Sequence, residues 1–168
     1  MKAALVICAL LVPAVGAAQS MTAEDFIRQA VEDNLADVEA GRMAEGTGTL
    51  PLSVQQLGRQ ISSSSMRMNE ELSRLAASRG IVPANQIRAS DRHTLERLSK
   101  LQSGTFTREY LRSVLADLEH DRALFQIATA LEDPGVAQFA RNTLPEIEKQ
   151  LQVAGAVYDA QVGSMAER

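Results

Sequence analysis

Apolar side chains recur every third or fourth residue along most of the chain, and no segment alternates apolar and polar positions between hairpin turns. The pattern predicts helices throughout. Phe26, Ile27, Ala30, Val31, Leu35 and Val38 form a first stripe. Thr22 stands ahead of it as an N-cap, Glu24 and Asp25 suit the positive end of the helix dipole, and the helix is expected to reach about Glu45. The linker from Gly46 to Pro51 stops it, and Ser53 with Gln56 has capping-box spacing for the next helix. Val54, Leu57, Ile61, Met68, Leu72 and Leu75 mark that helix, which Gly80 terminates.

A polar connection containing Pro83 leads to a short helix, with Ser90 as its expected cap and Leu95, Leu98 and Leu101 as its apolar side. After a break at Gln102-Ser103-Gly104, Thr107 is expected to cap a long helix to about Leu131, with Leu111, Val114, Leu115, Leu118 and Phe125 inward. Asp133-Pro134 joins an N-cap to a proline at the first helical position and opens the last helix, lined by Val136, Phe139, Ala140, Leu144, Ile147, Leu151, Ala154 and Val157. Pro145 lies within it, removes a backbone hydrogen bond and is expected to bend it. Val54 to Arg59 resembles Val136 to Arg141, and Phe26 to Arg28 resembles Tyr110 to Arg112, as two related helical hairpins would; chance similarity of amphipathic segments is the competing explanation.

The first residues follow a different logic. Lys2, an apolar run from Ala3 to Val15 and the small residues Gly16-Ala17-Ala18 form a secretory leader, with cleavage expected after Ala18. The run falls short of the roughly 20 apolar residues of a membrane span. Cys8 lies inside the leader, so the mature chain has no cysteine for disulfides, thiolate metal sites or nucleophilic catalysis. Residues 19–168 then form a single domain, exported to the periplasm, with outer-membrane association as a further possibility. Loss of Lys2 leaves sixteen Lys and Arg against twenty-one Asp and Glu, a formal charge of −5. That balance, without a basic cluster or a Trp, argues against nucleic acid as a partner and leaves an envelope component or a small ligand.

Several strings occur in a characteristic order: Ala36-Asp37-Val38-Glu39 with Gly41 and Met43-Ala44; Asn69-Glu70-Glu71-Leu72; Phe106-Thr-Arg-Glu-Tyr110; Leu124-Phe125; Asp133-Pro134; Phe139-Ala140-Arg141; and Thr143-Leu-Pro145. This order resembles the bacterial family called domain of unknown function 4142. The resemblance implies an exported, all-α, ferritin-like four-helix bundle with a short extra helix in the central connection. It implies no established activity. Family members carry an Asp-His pair on the second helix, another on the long helix, and a histidine beyond the Leu-Pro string. The matching positions here are Ser64 and Ser65, then Asp117 and Leu118, then Gln150, so all three histidines are replaced, while Asp117 and Glu39 remain. Hydroxyl and amide groups are poor transition-metal ligands beside imidazole. A hydrogen bond from Ser64 or Ser65 to Gln150 is the expected replacement, because an unpartnered buried amide costs about 1–3 kcal/mol.

Other chemistry is thinly represented. A ferritin-like di-iron centre needs Glu-x-x-His pairs on two helices, and none exists. Asp117 and His120 have the spacing of one carboxylate–imidazole pair, but Leu118 should face the core and place His120 at the edge or in solvent. His93 stands alone. The run Ser62 to Ser65 lacks an adjacent base and a nucleophile elbow, and reads as small residues that let helices approach or leave a small polar pocket. Met66 and Met68 flank it and read as core filler ahead of a soft-metal site. The chain therefore reads as a non-catalytic binding or envelope-associated module with a degenerate metal site and no predicted cofactor. The alternative is a periplasmic metal-binding protein or metal-dependent enzyme using Glu39, Asp117 and His120.

Overall fold

The computed structural model describes residues 21–166, which contain five helices and no strand. The proposed leader, residues 1–18, lies outside the described residues. Helix α1 spans Ala23–Gly46, α2 Leu52–Ala77, α3 Ala89–Ser99, α4 Ser103–Ala128 and α5 Pro134–Ala166. The two principal pairings are α1 with α2 and α4 with α5, while α1 also meets α4 and α2 also meets α5. The short α3 lies in the connection between the two hairpins and touches both α1 and α4.

Thr22 starts α1 with a reciprocal capping box: its hydroxyl accepts from the Asp25 amide at 3.1 Å, and the Asp25 carboxylate accepts from the Thr22 amide at 3.2 Å. Asp133 caps α5 through one carboxylate oxygen that accepts from the amides of Gly135 and Val136, each at 3.0 Å. The same carboxylate receives the Arg79 guanidinium at 2.7 Å, tying the end of α2 to the start of α5. Gly80 has φ +68°, the left-handed conformation that ends the second helix cheaply. The α5 helix continues through Pro145.

Three expected caps are corrected. Pro51, Arg88 and Gln102 precede α2, α3 and α4 without side-chain capping bonds, so Ser53, Ser90 and Thr107 lie inside their helices. Proline's fixed φ explains the earlier start of α2, and Ser53 instead accepts a hydrogen bond from Gln161 of α5. Thr107 is buried beside the Phe106–Tyr110 ring stack, one turn inside α4. The α4 helix ends at Ala128, short of the expected Leu131, and Thr129 and Ala130 form a turn.

Apolar stripes from all five helices meet in one core. Phe26 and Phe125 pack edge to face with centroids 5.1 Å apart, and Phe139 closes the aromatic group at 5.8 Å from Phe125. The α1–α2 contact is unusually close: a Cβ placed on Gly58 would lie 2.7 Å from the Gly41 carbonyl oxygen and 2.8 Å from the Ala44 side chain. Ser62 continues this small-residue seam, since a Cβ on Gly41 would meet its side chain at 2.9 Å.

Candidate functional site

A cleft of about 440 Å³ opens where α3 and its lead-in cross α1 and α4. The i, i+4 spacing brings Asp33 and Asp37 to it from α1 and Asp117 and Asp121 from α4, one helical turn apart in each case. Its lining also includes Ala36, Ala40, Leu95, Leu98 and Ala116, so apolar surface surrounds the carboxylates. Arg88, just ahead of α3, lies at the edge and forms ion pairs with Glu32 at 3.3 Å, Asp91 at 3.4 Å and Asp33. At another part of the lining, Glu109 lies 3.2 Å from Arg112 and 3.5 Å from Arg97.

The inner carboxylates lie outside these ion pairs, while at the rim Asp33 Oδ2, Asp91 Oδ2 and Arg88 Nε are buried without a hydrogen-bond partner among the described residues. Asp37 is buried and accepts a 3.3 Å hydrogen bond from the Ser65 hydroxyl. Burial pushes its carboxyl group well above the ordinary range, Asp117 adds to the rise, and Ser65 opposes it. Asp121 is also buried, and its proton affinity is raised by lost hydration and then by Asp37 and Asp117, with Arg88 opposing. Asp117 sits at the more open side of the cleft, yet surrounding atoms remove enough water to raise its pKa, against the Ser113 hydroxyl that donates to it at 3.2 Å. Burial of both carboxyl groups, with the charge of Asp37 acting on Asp121, favours their protonated forms.

His120 lies at the cleft edge, half exposed, as its spacing from Leu118 predicts. Its Nε2 is 2.9 Å from the Gln29 amide nitrogen and 3.6 Å from Asp33. The Gln29 amide N–H can donate to this ring nitrogen in the tautomer that leaves it unprotonated. Tyr110 is wholly buried with no hydrogen bond to its hydroxyl among the described residues, and burial followed by the charges of Asp37 and Asp117 makes the phenol harder to ionise.

Asp117 and His120 therefore share the cleft, whereas Glu39 is exposed on α1 and does not line it. Ser64, Ser65, Leu118 and Gln150 are all buried. Gln150 donates to the Ser64 hydroxyl at 2.7 Å, and Ser64 donates to Glu146 at 2.8 Å. Ser65 backs the cleft through Asp37, and Leu118 packs in the apolar core. A serine–glutamine pair and a leucine do not fit a transition-metal ion. Among the described residues, no group of three or more His, Cys, Asp or Glu side chains is arranged to hold a metal ion. His93 is exposed on α3 and does not line the cleft.

Asp33, Asp37, Asp121 and Arg88 are cleft residues that the reading of candidate chemistry passed over. A signal for two of them was present: Asp37 follows Ala30 and Asn34 along the buried side of α1, and Asp121 falls between Leu118 and Phe125 on that of α4. A carboxylate at a core position points to an unusual environment, whereas the same residue on a polar face does not. Among the described residues, no helix is long and apolar enough to cross a membrane. No curated protein and no solved structure matches the chain. The family model described as Domain of unknown function (DUF4142) matches residues 11–157, nearly the whole chain, and the protein belongs to that family.

Proposed function

We propose that this protein is an exported, non-catalytic binding module of ferritin-like four-helix architecture, and that its small ligand occupies the cleft between α1, α3 and α4. The observation that carries this reading is the pair Asp37 and Asp121, buried in a cleft whose remaining lining includes leucine and alanine. Carboxylates in such a place are costly to retain unless a ligand or a proton compensates them. The degenerate-site reading of Ser64, Ser65, Leu118 and Gln150 is supported by their chemistry: two of them bond to each other, and none offers an imidazole. The alternative of metal handling draws on Asp117 and His120, which face the same cleft, but Glu39 stands outside it.

Native mass spectrometry of the protein recovered from its producing cells tests the binding reading. A retained small molecule that is lost when Ala116→Trp fills the cleft is the expected result. Ligand retention unaffected by that substitution would place binding elsewhere. Stoichiometric iron, zinc or manganese, lost on Asp117→Ala or Glu39→Ala, would put metal handling in its place. Intact mass of the exported product should correspond to a chain beginning at Gln19.

A further inference from the structure

We propose that the cleft selects an aliphatic ammonium ion, a primary amine with a short alkyl chain, and that Asp121 is its principal charged contact. This inference rests on the reading of the cleft as a binding site and adds the chemical class of the ligand. Asp121 is only 5% exposed, lines the cleft and accepts no hydrogen bond among the described residues. Asp37 has one donor, Ser65, which leaves further acceptor capacity on the same wall. An ammonium group brings three N–H donors and the missing positive charge.

Neighbouring cations are already engaged. Arg88 lies within ion-pair distance of Glu32, Asp33 and Asp91, although its Nε makes no hydrogen bond among the described residues, while Arg97 and Arg112 share Glu109. Among the described residues no guanidinium forms an ion pair with Asp37 or Asp121, although Arg88 acts on Asp121 from a distance, and an anionic ligand would meet Asp37, Asp117 and Asp121 together. A divalent cation requires about six oxygen ligands converging at short range. The described side chains do not present that arrangement, and Leu95, Leu98 and Ala40 would leave such an ion partly unsolvated. The same residues suit the methylene chain of an amine, which loses water against them while its head remains with the carboxylates.

Calorimetric titration of the folded protein in low salt at about pH 8, where the inner carboxyl pair is more fully ionised, tests this assignment. The probes are n-butylammonium chloride, sodium butyrate, and calcium or magnesium chloride. Saturable one-to-one binding of butylammonium, weakened about tenfold or more by Asp121→Asn, is expected, because the substitution removes a charge-assisted hydrogen bond while preserving shape. Butyrate should give no saturable heat. Should Asp121→Asn fail to fold by circular dichroism, Asp117→Asn at the more open side provides the second variant and should weaken butylammonium several-fold.

Absence of saturable amine binding overturns the proposal, as does amine binding that both variants leave unchanged. Saturable butyrate binding that Ala116→Trp abolishes would keep the cleft as a binding site and reject the ammonium assignment. Stoichiometric calcium or magnesium binding that excludes butylammonium and depends on Asp121 would likewise reject it in favour of a metal ion.

Discussion

Ser64 occupies a position where a hydroxyl serves two partners at once, accepting from Gln150 and donating to Glu146. Removing it leaves a buried amide donor without an acceptor, so Ser64→Ala should destabilise the protein by about 1–3 kcal/mol, measured by urea unfolding. Gln150→Leu should cost less, because it removes the polar group along with the bond. This contact was legible in the sequence once the positions were aligned by resemblance, since a buried glutamine requires a partner. The inner carboxylates were not singled out, although Asp37 and Asp121 lie on apolar stripes where solvation alone does not account for them. Which helices would meet there, and that α3 would cover the place, depends on tertiary packing that a single stripe does not encode.

Helix ends divide into those governed by local chemistry and those set by packing or backbone geometry. Thr22, Gly80 and Asp133 could be read locally because each satisfies a nearby backbone group or supplies the required φ. Ser53, Ser90 and Thr107 have suitable side chains but no capping bond, as their helices begin earlier. The Arg79–Asp133 clamp joins residues far apart in sequence, so only the cap was foreseeable. Close packing of α1 on α2 was similarly hidden, because Gly41 and Gly58 look like helix-weakening residues until their backbones meet. Gly58→Ala should therefore destabilise by about 1–3 kcal/mol through overpacking, despite alanine's higher helix propensity. Thermal denaturation followed by circular dichroism checks the sign; stabilisation would mean that the seam opens at little cost.

For the molecule as a whole, two sets of carboxyl groups act in opposite directions as pH changes. Asp37, Asp117 and Asp121 bind protons more strongly in the folded state because of burial, so their favourable contribution is present in acid and lost as pH rises through their elevated pKa values. Asp133 is held well below the usual carboxylate range by its Arg79 hydrogen bonds and helix cap, and its contribution is lost as pH falls through that depressed pKa. Stability should therefore rise on acidification from about pH 8 towards about pH 5, then decline in strong acid. Asp121→Asn should flatten the first part of this profile and raise the melting temperature most at the alkaline end. An unchanged profile would contradict the assignment of Asp121 to a desolvated, proton-retaining site.

The fold class was readable from periodicity because the apolar stripes are long, whereas the cleft emerged from three helices meeting around polar exceptions to those stripes. Its central physical claim is that Asp37 and Asp121 retain proton binding at pH values where ordinary carboxyl groups are ionised. Carboxyl ¹³C NMR titration, with Asp37→Asn and Asp121→Asn used to assign the signals, measures this directly. The account predicts that Asp37 titrates at about 7 and that Asp121 titrates well above the ordinary carboxylate range in the ligand-free protein. Complete ionisation of both groups below about pH 4 would contradict it, because the cleft would then hydrate the carboxylates as freely as an ordinary surface.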